Sequence, residues 1–183
     1  MAPAGQVTAS DLRAMLTDAA LAGSWTLDAS RSSISLRSKS MWGLAPVKGS
    51  FREIAGTGTV SPDGQVSGTI TVAAASVDTK IAKRDAHLRS AEFFDADAHP
   101  QITIRVDGLT LAGQGVTVAG ALTVRDRTRP LAFDATVSAL DVGEVRLDAE
   151  IQVNRSDYGM TWSPMRMASM HNTITIHLVF TRS

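Results

Sequence analysis

The sequence predicts an all-β protein of about eight antiparallel strands with two short helical segments. From Trp25 onwards, apolar and polar residues alternate with a period of two, as in strands with one buried and one solvent-facing side. Turn signals rich in Gly, Asp and Pro separate these alternating runs. A helical pattern precedes the alternation at 10–21, and a second one interrupts it at roughly 80–96.

The first helix is predicted to follow a loose tail at 1–9. Ser10 can cap it, because a serine hydroxyl accepts a backbone N–H of the first turn, and Gly23 ends it. One helix face carries the apolar residues Leu12, Met15, Leu16 and Ala19. Because the polar face is not rich in Lys and Arg, we expect this helix to pack against the main domain and not against a membrane.

The strands follow from the alternating runs and the turns between them. In "QITIRV" at 101–106 and "NTITIHLVF" at 172–180, every second residue is apolar, and "SPDGQ" at 61–65 is a typical hairpin turn. The predicted strands lie near 25–40, 47–60, 65–77, 101–110, 115–126, 129–140, 144–155 and 171–181.

Strands of this number must protect their edges. Closure into a barrel does so, and the long, meander-like order of the strands favours it. A β-sandwich is the alternative architecture. A barrel of this size has an interior that side chains fill or that holds one small ligand.

Composition excludes several classes of function. Among 183 residues, 18 Lys and Arg balance 18 Asp and Glu, without the basic stripe that nucleic-acid binding requires. There is no cysteine, which excludes disulfides, thiol nucleophiles and cysteine-ligated metals. Neither a signal peptide nor a run long enough to span a membrane is present, so we expect a soluble, cytoplasmic protein.

The polar segment "KRDAHLRSAEFFD" at 83–95 is a candidate site. His87 lies near Asp85 and Glu92, which are groups suited to acid–base chemistry. The spacing of these residues with Ser90 matches no nucleophile–base arrangement, and GxSxG, HExxH and phosphate-binding glycine loops are absent. An enzyme that acts on an apolar substrate through His87 with Asp85 or Glu92 stays an alternative function.

Two further interpretations of this segment remain. One is a metal site, since residue types that bind divalent metals occur at Asp85, His87, Asp95 and His99. Because their spacing is irregular, we predict no metal there. A structural clasp explains the segment better, because arginines make strong charge-assisted hydrogen bonds. The clasp would consist of Arg84, Asp85, His87 and Arg89. It would hold a short helix at 84–91 over one end of the barrel, with the phenylalanines turned inward.

The same segment carries a family resemblance. "KRDAHLRSAEFFDADAHPQITIRV" resembles the signature of the YceI-like family, known as polyisoprenoid-binding, lipocalin-like proteins. The matching positions are Arg84, Asp85, His87, Leu88, Arg89, Ser90, Phe93, Phe94, Asp95 and Pro100. Other segments are similar to the family's opening strands, second strand, central hairpin and Arg-x-x-aromatic-Gly motif: "WTLDASRSSISLRSKS", "VKGSFREIAGTGTV", "VAGALTVRDRTRPLAFDA" and "VNRSDYGMTW". The resemblance runs from about residue 25 to 181.

The resemblance implies an extended antiparallel β-barrel with an elongated apolar cavity. Together with the strand pattern, it predicts an eight-stranded lipocalin-like barrel with a helical insertion near 80–96. The short N-terminal helix at 10–21 is an addition to the family pattern. Residues 1–24 would form the tail and helix, and 25–183 the barrel domain. It implies non-enzymatic binding, transport or storage of an isoprenoid lipid, a prenyl quinone or polyprenol, in an apolar cavity. No cofactor, nucleic acid or membrane span is expected, and a homodimer is left open. Family members are commonly exported, so the expected location departs from the family pattern.

Alternation and aromatic content select the candidate ligand-binding residues, which are Trp42, Phe51, Phe94, Ile104, Leu122, Phe133, Ile151, Met160 and Ile174. The methionines at 160–170 would form a portal for a flexible lipid, plain apolar packing, or a soft-metal site. A packed interaction or stress-response module without ligand is the remaining alternative function.

Overall fold

One continuous antiparallel sheet accounts for most of the protein. The computed structural model describes residues 7–40 and 43–183. The helices are α1 (Ala9–Thr17) and α2 (Ala82–Arg89). The strand segments are β1 (Gly23–Leu27), β2 (Ser33–Ser40), β3 (Ala45–Phe51), β4 (Ile54–Val60), β5 (Val66–Ala73), β6 (Val77–Asp78), β7 (Gln101–Ala112), β8 (Gly115–Val124), β9 (Arg127–Asp141), β10 (Glu144–Asn154) and β11 (His171–Arg182).

The sheet closes on itself at β11. One edge of β11 pairs with β10, and the other pairs with β2 along its first half and with β1 at its end. Ile174 therefore lies between Leu36 and Ile151. The short 3-10 turn Ala29–Arg31 interrupts one long barrel strand, of which β1 and β2 are the two halves.

Two other pairs of segments continue one another in the same way. β4 pairs with β1 while β3 pairs with β2, and β5 pairs with β4 while β6 pairs with β3. The eleven segments within the described ranges therefore make eight barrel strands. This confirms the predicted eight-stranded antiparallel barrel, and its closure rules out the β-sandwich.

The pairing of β7 with β8 contains an irregularity. The register between these strands shifts between Val106 and Gly108, which is a β-bulge. Gly120 lies opposite Val106, and a Cβ atom at Gly120 would collide with the carbonyl oxygen of Arg105. Glycine is required here because only a residue without a side chain allows so close an approach of the two backbones.

The barrel interior divides into two apolar clusters along its axis. One contains Ile34, Ile104 and Ile151, and the other contains Trp25 and Val116. Phe133 and several other half-buried side chains pack against both clusters. The first cluster surrounds the larger cavity described below, and α1 covers the second.

The N-terminal helix is shorter than predicted, and its cap is different. Thr8 is the N-cap: its hydroxyl accepts the Asp11 N–H at 3.2 Å, and the Asp11 carboxylate accepts the Thr8 N–H at 3.2 Å. The prediction of Ser10 as the cap was wrong, because only Thr8 forms this reciprocal capping box with Asp11. The helix ends at Thr17 and not at 21, since Ala19 turns the backbone to a positive φ of 54°.

This turn brings two apolar residues after α1 into the second cluster. Leu21 is buried, and its carbonyl accepts the indole N–H of Trp25 at 2.9 Å. α1 contributes Leu12, which is 4% exposed. Within the described ranges, no helix is long and apolar enough to cross a membrane.

Replacement of Leu12 by Ala tests how firmly α1 covers this barrel end. The free energy of unfolding should fall by about 2–4 kcal/mol, the usual cost of an apolar cavity in a core. Urea denaturation followed by tryptophan fluorescence measures it. The control Arg13→Ala alters an exposed residue of the same helix and should change stability by less than about 0.5 kcal/mol. Equal effects of both variants would show that α1 is not packed as described.

Candidate ligand cavity

A cavity of about 590 Å³ occupies one half of the barrel. Strands from both sides of the barrel supply its apolar walls. Its end is covered by α2 and the segment 155–172, which together we call the cover. Its lining reaches the surface at Ile81, Lys83, Lys39 and Trp162, a set of exposed residues that we call the mouth. A cavity of this volume lies within the ordinary range for small-molecule sites in proteins.

Most of the predicted ligand-binding residues line this cavity. They are Phe51, Phe94, Ile104, Leu122, Ile151, Met160 and Ile174. Phe133 does not line it, and instead lines a second cavity of about 140 Å³ in the half of the barrel covered by α1. The alternation correctly predicted that Phe133 points into the barrel, but it carries no information on the height of this residue along the barrel axis. Trp42 lies outside the described residues.

Sequence reasoning missed one wall of the cavity. Ile34, Leu36 and Val47, on the hairpin of β2 and β3, all face it. The alternation "SISLRS" at 33–38 was the available signal. It was overlooked because the run is short and its polar residues are mostly serines.

Asp85 holds α2 to the segment that precedes it. Its carboxylate is buried and accepts both the N–H of Thr79, at 2.8 Å, and the Thr79 hydroxyl. Arg84 donates from Nε to that hydroxyl oxygen at 2.9 Å and from Nη2 to the Thr79 carbonyl at 3.1 Å. Arg84 and Asp85 thus meet at Thr79 and do not pair with each other.

Arg89 attaches the other end of α2 to the barrel. Its guanidinium donates to the carbonyl of Ala75 at 2.8 Å and to that of Val77 at 3.2 Å. These contacts leave Leu88 and Phe94 facing the cavity, where the Phe94 ring meets the edge of Phe51 with 5.7 Å between centroids. The geometry is that of a polar clasp outside an apolar wall, and its role in stability stays a prediction.

Replacement of Asp85 by Ala tests the clasp. The buried Thr79 N–H and hydroxyl lose their acceptor, which should lower the free energy of unfolding by about 1–3 kcal/mol. Chemical denaturation measures the change. Asp97→Ala removes an exposed carboxylate in the following loop and should leave the midpoint nearly unchanged. A wild-type midpoint for Asp85→Ala would contradict the clasp.

His87 belongs to an aromatic cluster at the mouth. Its ring meets Trp162 edge-on, with centroids 4.4 Å apart, and meets Phe93 at 5.0 Å. Its Nε2 atom is hydrogen-bonded to Glu92. The Ser90 hydroxyl donates to the main-chain carbonyl of His87 and does not bond to its ring. Of the two carboxylates predicted as catalytic partners, only Glu92 therefore pairs with His87, and Ser90 is not positioned as a nucleophile.

The groups considered as metal ligands do not converge. His99 lies 3.9 Å from Asp95, whereas His87 pairs with Glu92. Across residues 7–40 and 43–183, no three His, Asp or Glu side chains are arranged to hold a metal ion. The methionines are also in different environments, because Met160 is buried at the cavity wall and Met165 is 79% exposed.

Arg155 organises the segment that covers the cavity end. It is 6% exposed, and its guanidinium donates to the carbonyls of Met160 at 2.7 Å, Trp162 at 2.7 Å and Ser169 at 2.9 Å. It also lies over the ring of Phe93, 5.3 Å from the centroid. Burial lowers the pKa of Arg155 from its usual value. Its side chain lines the cavity, a role that the sequence pattern did not reveal.

Replacement of Arg155 by Lys should destabilise the cover, because one ammonium group cannot reproduce a fork of donors to several carbonyls. We expect a loss of about 2–4 kcal/mol in the free energy of unfolding, since buried acceptors lose their partners. Arg129→Lys, an exposed substitution of the same type, is the control in the same denaturation experiment. Equal midpoints for the two variants would contradict this role.

Comparison with known proteins identifies the family. The sequence model of the YceI-like domain matches residues 25–181. The chain belongs to the YceI-like family. This confirms the predicted resemblance, and α1 lies before the matched region.

Sequence relatives match part of the chain. Protein YceI of Escherichia coli is 32% identical over 95 residues, which cover 51% of this chain and 50% of that protein. A UPF0312 protein of Serratia proteamaculans is 41% identical over 66 residues, which cover 36% of this chain and 34% of that protein. The matches thus span half or less of these relatives.

Solved structures of similar fold cover more. BcnA of Burkholderia cenocepacia has a TM-score of 0.75 at 23% identity, over 84% of this chain and 98% of that chain. A polyisoprenoid binding domain from Saccharophagus degradans has a TM-score of 0.72 at 16% identity, over 87% and 98%. At these identities the likeness shows the fold.

Proposed function

We propose that the protein binds an isoprenoid lipid in the larger cavity and carries or stores it without catalysing a reaction. The observation that supports this most directly is the cavity itself, about 590 Å³ with almost entirely apolar walls. Membership of the YceI-like family agrees with a binding role, and the Saccharophagus degradans neighbour is described as a polyisoprenoid binding domain. A prenyl quinone or a polyprenol is the proposed ligand.

The cavity volume limits the length of the tail. A dry protein cavity of about 150 Å³ takes up benzene, so six carbon atoms occupy roughly that space. On this scale the 590 Å³ of the larger cavity holds about 24 carbon atoms, or nearly five isoprene units. A longer tail would have to enter the second cavity or extend through the mouth.

Burial of such a tail supplies enough free energy for binding. Each buried methylene contributes about 0.8 kcal/mol, so ten contribute roughly 8 kcal/mol before ordering costs. That free energy corresponds to about micromolar affinity. Strong head-group contacts are not needed to hold the lipid, and we propose that the seven cavity-lining residues predicted above contact its tail.

The alternatives are less well supported. A packed interaction module would have a filled barrel, whereas this one holds a large cavity. An enzyme of the predicted kind would need His87 and its carboxylate partner to face the cavity together. His87 lines the cavity, whereas Glu92, the carboxylate bonded to it, is exposed and does not belong to the lining. The cytoplasmic location, the homodimer and the division into a helical extension at 1–24 and a barrel domain at 25–183 stay predictions.

Native mass spectrometry, followed by organic extraction and lipid identification, tests the proposal. We expect the purified protein, or the protein offered prenyl quinones and polyprenols, to hold one lipid molecule. Replacement of Ile174 by Trp fills part of the cavity and should lower occupancy at least tenfold. The control Thr175→Trp alters the next residue of the same strand, outside the cavity lining, and should keep wild-type occupancy.

Two results would contradict the proposal. One is a wild-type protein that stays empty with every prenyl lipid offered. The other is full occupancy in a folded Ile174→Trp variant, because the lipid would then lie elsewhere on the protein. Circular dichroism of both variants shows whether the barrel has formed.

A further inference from the structure

The charged groups of the cavity lining are all basic. The whole chain is neutral, with 18 basic and 18 acidic residues. Among the described residues, however, the lining includes Lys39, Lys83, Arg84 and Arg155 and no carboxylate. The chain has four lysines, and two of them lie at the mouth. A neutral apolar ligand gives no reason for such a one-sided distribution.

The two mouth lysines are available to a ligand. Both are exposed, and within the described ranges neither has an ion pair with a carboxylate. Lys80 differs, since its ammonium group is held 2.8 Å from Asp78. The acidic residue Glu92 does not pair with either lysine, because its carboxylate is bonded to His87.

The lysines reach the mouth from two independent elements. Lys83 lies in α2, which the contacts of Asp85 and Arg89 attach to the barrel. Lys39 lies near the end of β2, where its carbonyl accepts the N–H of Ser169 at 2.8 Å. Two separate elements of the fold therefore place positive charge at the same opening.

Arg155 adds a buried positive charge to the same cavity lining. Its partners are main-chain carbonyls, and no carboxylate in the described ranges neutralises it. Carbonyl dipoles satisfy its N–H groups but leave its net charge in place. A charge in an apolar, partly enclosed site acts over a longer distance than one in water.

We propose that the mouth gives the cavity a preference for a single-chain lipid with an anionic head group, a phosphate or a carboxylate, which Lys39 and Lys83 bind. This inference rests on the proposed function, because it assumes that the tail occupies the cavity. Arg84 and Arg155 add to the positive potential there while their own donors hold the cover in place. Of the isoprenoids, a polyprenyl phosphate fits this mouth better than a neutral polyprenol or quinone.

Matched lipids of twenty carbons separate head group from tail. Geranylgeranyl phosphate and geranylgeraniol share one tail, and icosanoic acid and icosanol share another. Affinities are measured by isothermal titration with delivery from cyclodextrin, at low and high salt. We expect each anionic lipid to bind at least tenfold more tightly than its alcohol, and salt to reduce this ratio. The better of the two anions shows whether phosphate or carboxylate is preferred.

The double variant Lys39→Gln/Lys83→Gln should reduce the ratio of anion to alcohol affinity about tenfold. Lys48→Gln is the matched control, because Lys48 is an exposed lysine of β3 on the same hairpin as Lys39 but outside the cavity lining. Its ratio should equal that of the wild type.

The outcomes separate this inference from the proposed function. Equal affinity for alcohol and anion, or an unchanged ratio in the double variant, would overturn the anionic head group and leave lipid binding in place. Failure of all four lipids to bind would overturn both.

Discussion

The hydrogen bonding of β11 on both of its edges is the constraint on which the rest of the structure depends. β11 joins β10 to the long strand formed by β1 and β2, and so turns a sheet into a barrel. A closed barrel has no free edge, and its inward side chains share one enclosed volume. The cavity, the second cluster and the positions of α1 and α2 all follow from that closure.

The two halves of the barrel interior show what this shared volume can become. In one half, α1, Trp25 and their neighbours pack until a space of about 140 Å³ remains. In the other, the wall residues leave about 590 Å³. The difference lies at the barrel ends: an apolar helix face inserts into one, whereas α2 and the 155–172 segment cover the other mainly through polar contacts.

Polar contacts suit a cover over a cavity. Apolar side chains that held α2 would have to enter the interior and fill it. Asp85 and Arg89 instead bind backbone groups away from the cavity lining, and Arg155 binds backbone carbonyls at the cavity wall, so these contacts hold the cover without filling the apolar space. The arginines also bring positive charge to this end of the barrel, which links the stability of the cover to the chemistry of the mouth.

The sequence by itself determined the eight strands, their alternating faces, the α2 insertion and the family, because periodicity and motifs are local properties of the chain. It also selected seven residues that line the cavity. Only the tertiary structure decided that Phe133 lies in the other half and that Arg155 is buried beside the mouth. The height of a residue along the barrel axis depends on strand register. The meeting of Lys39 and Lys83 at one opening depends on how segments distant in sequence pack. Local periodicity determines neither of these.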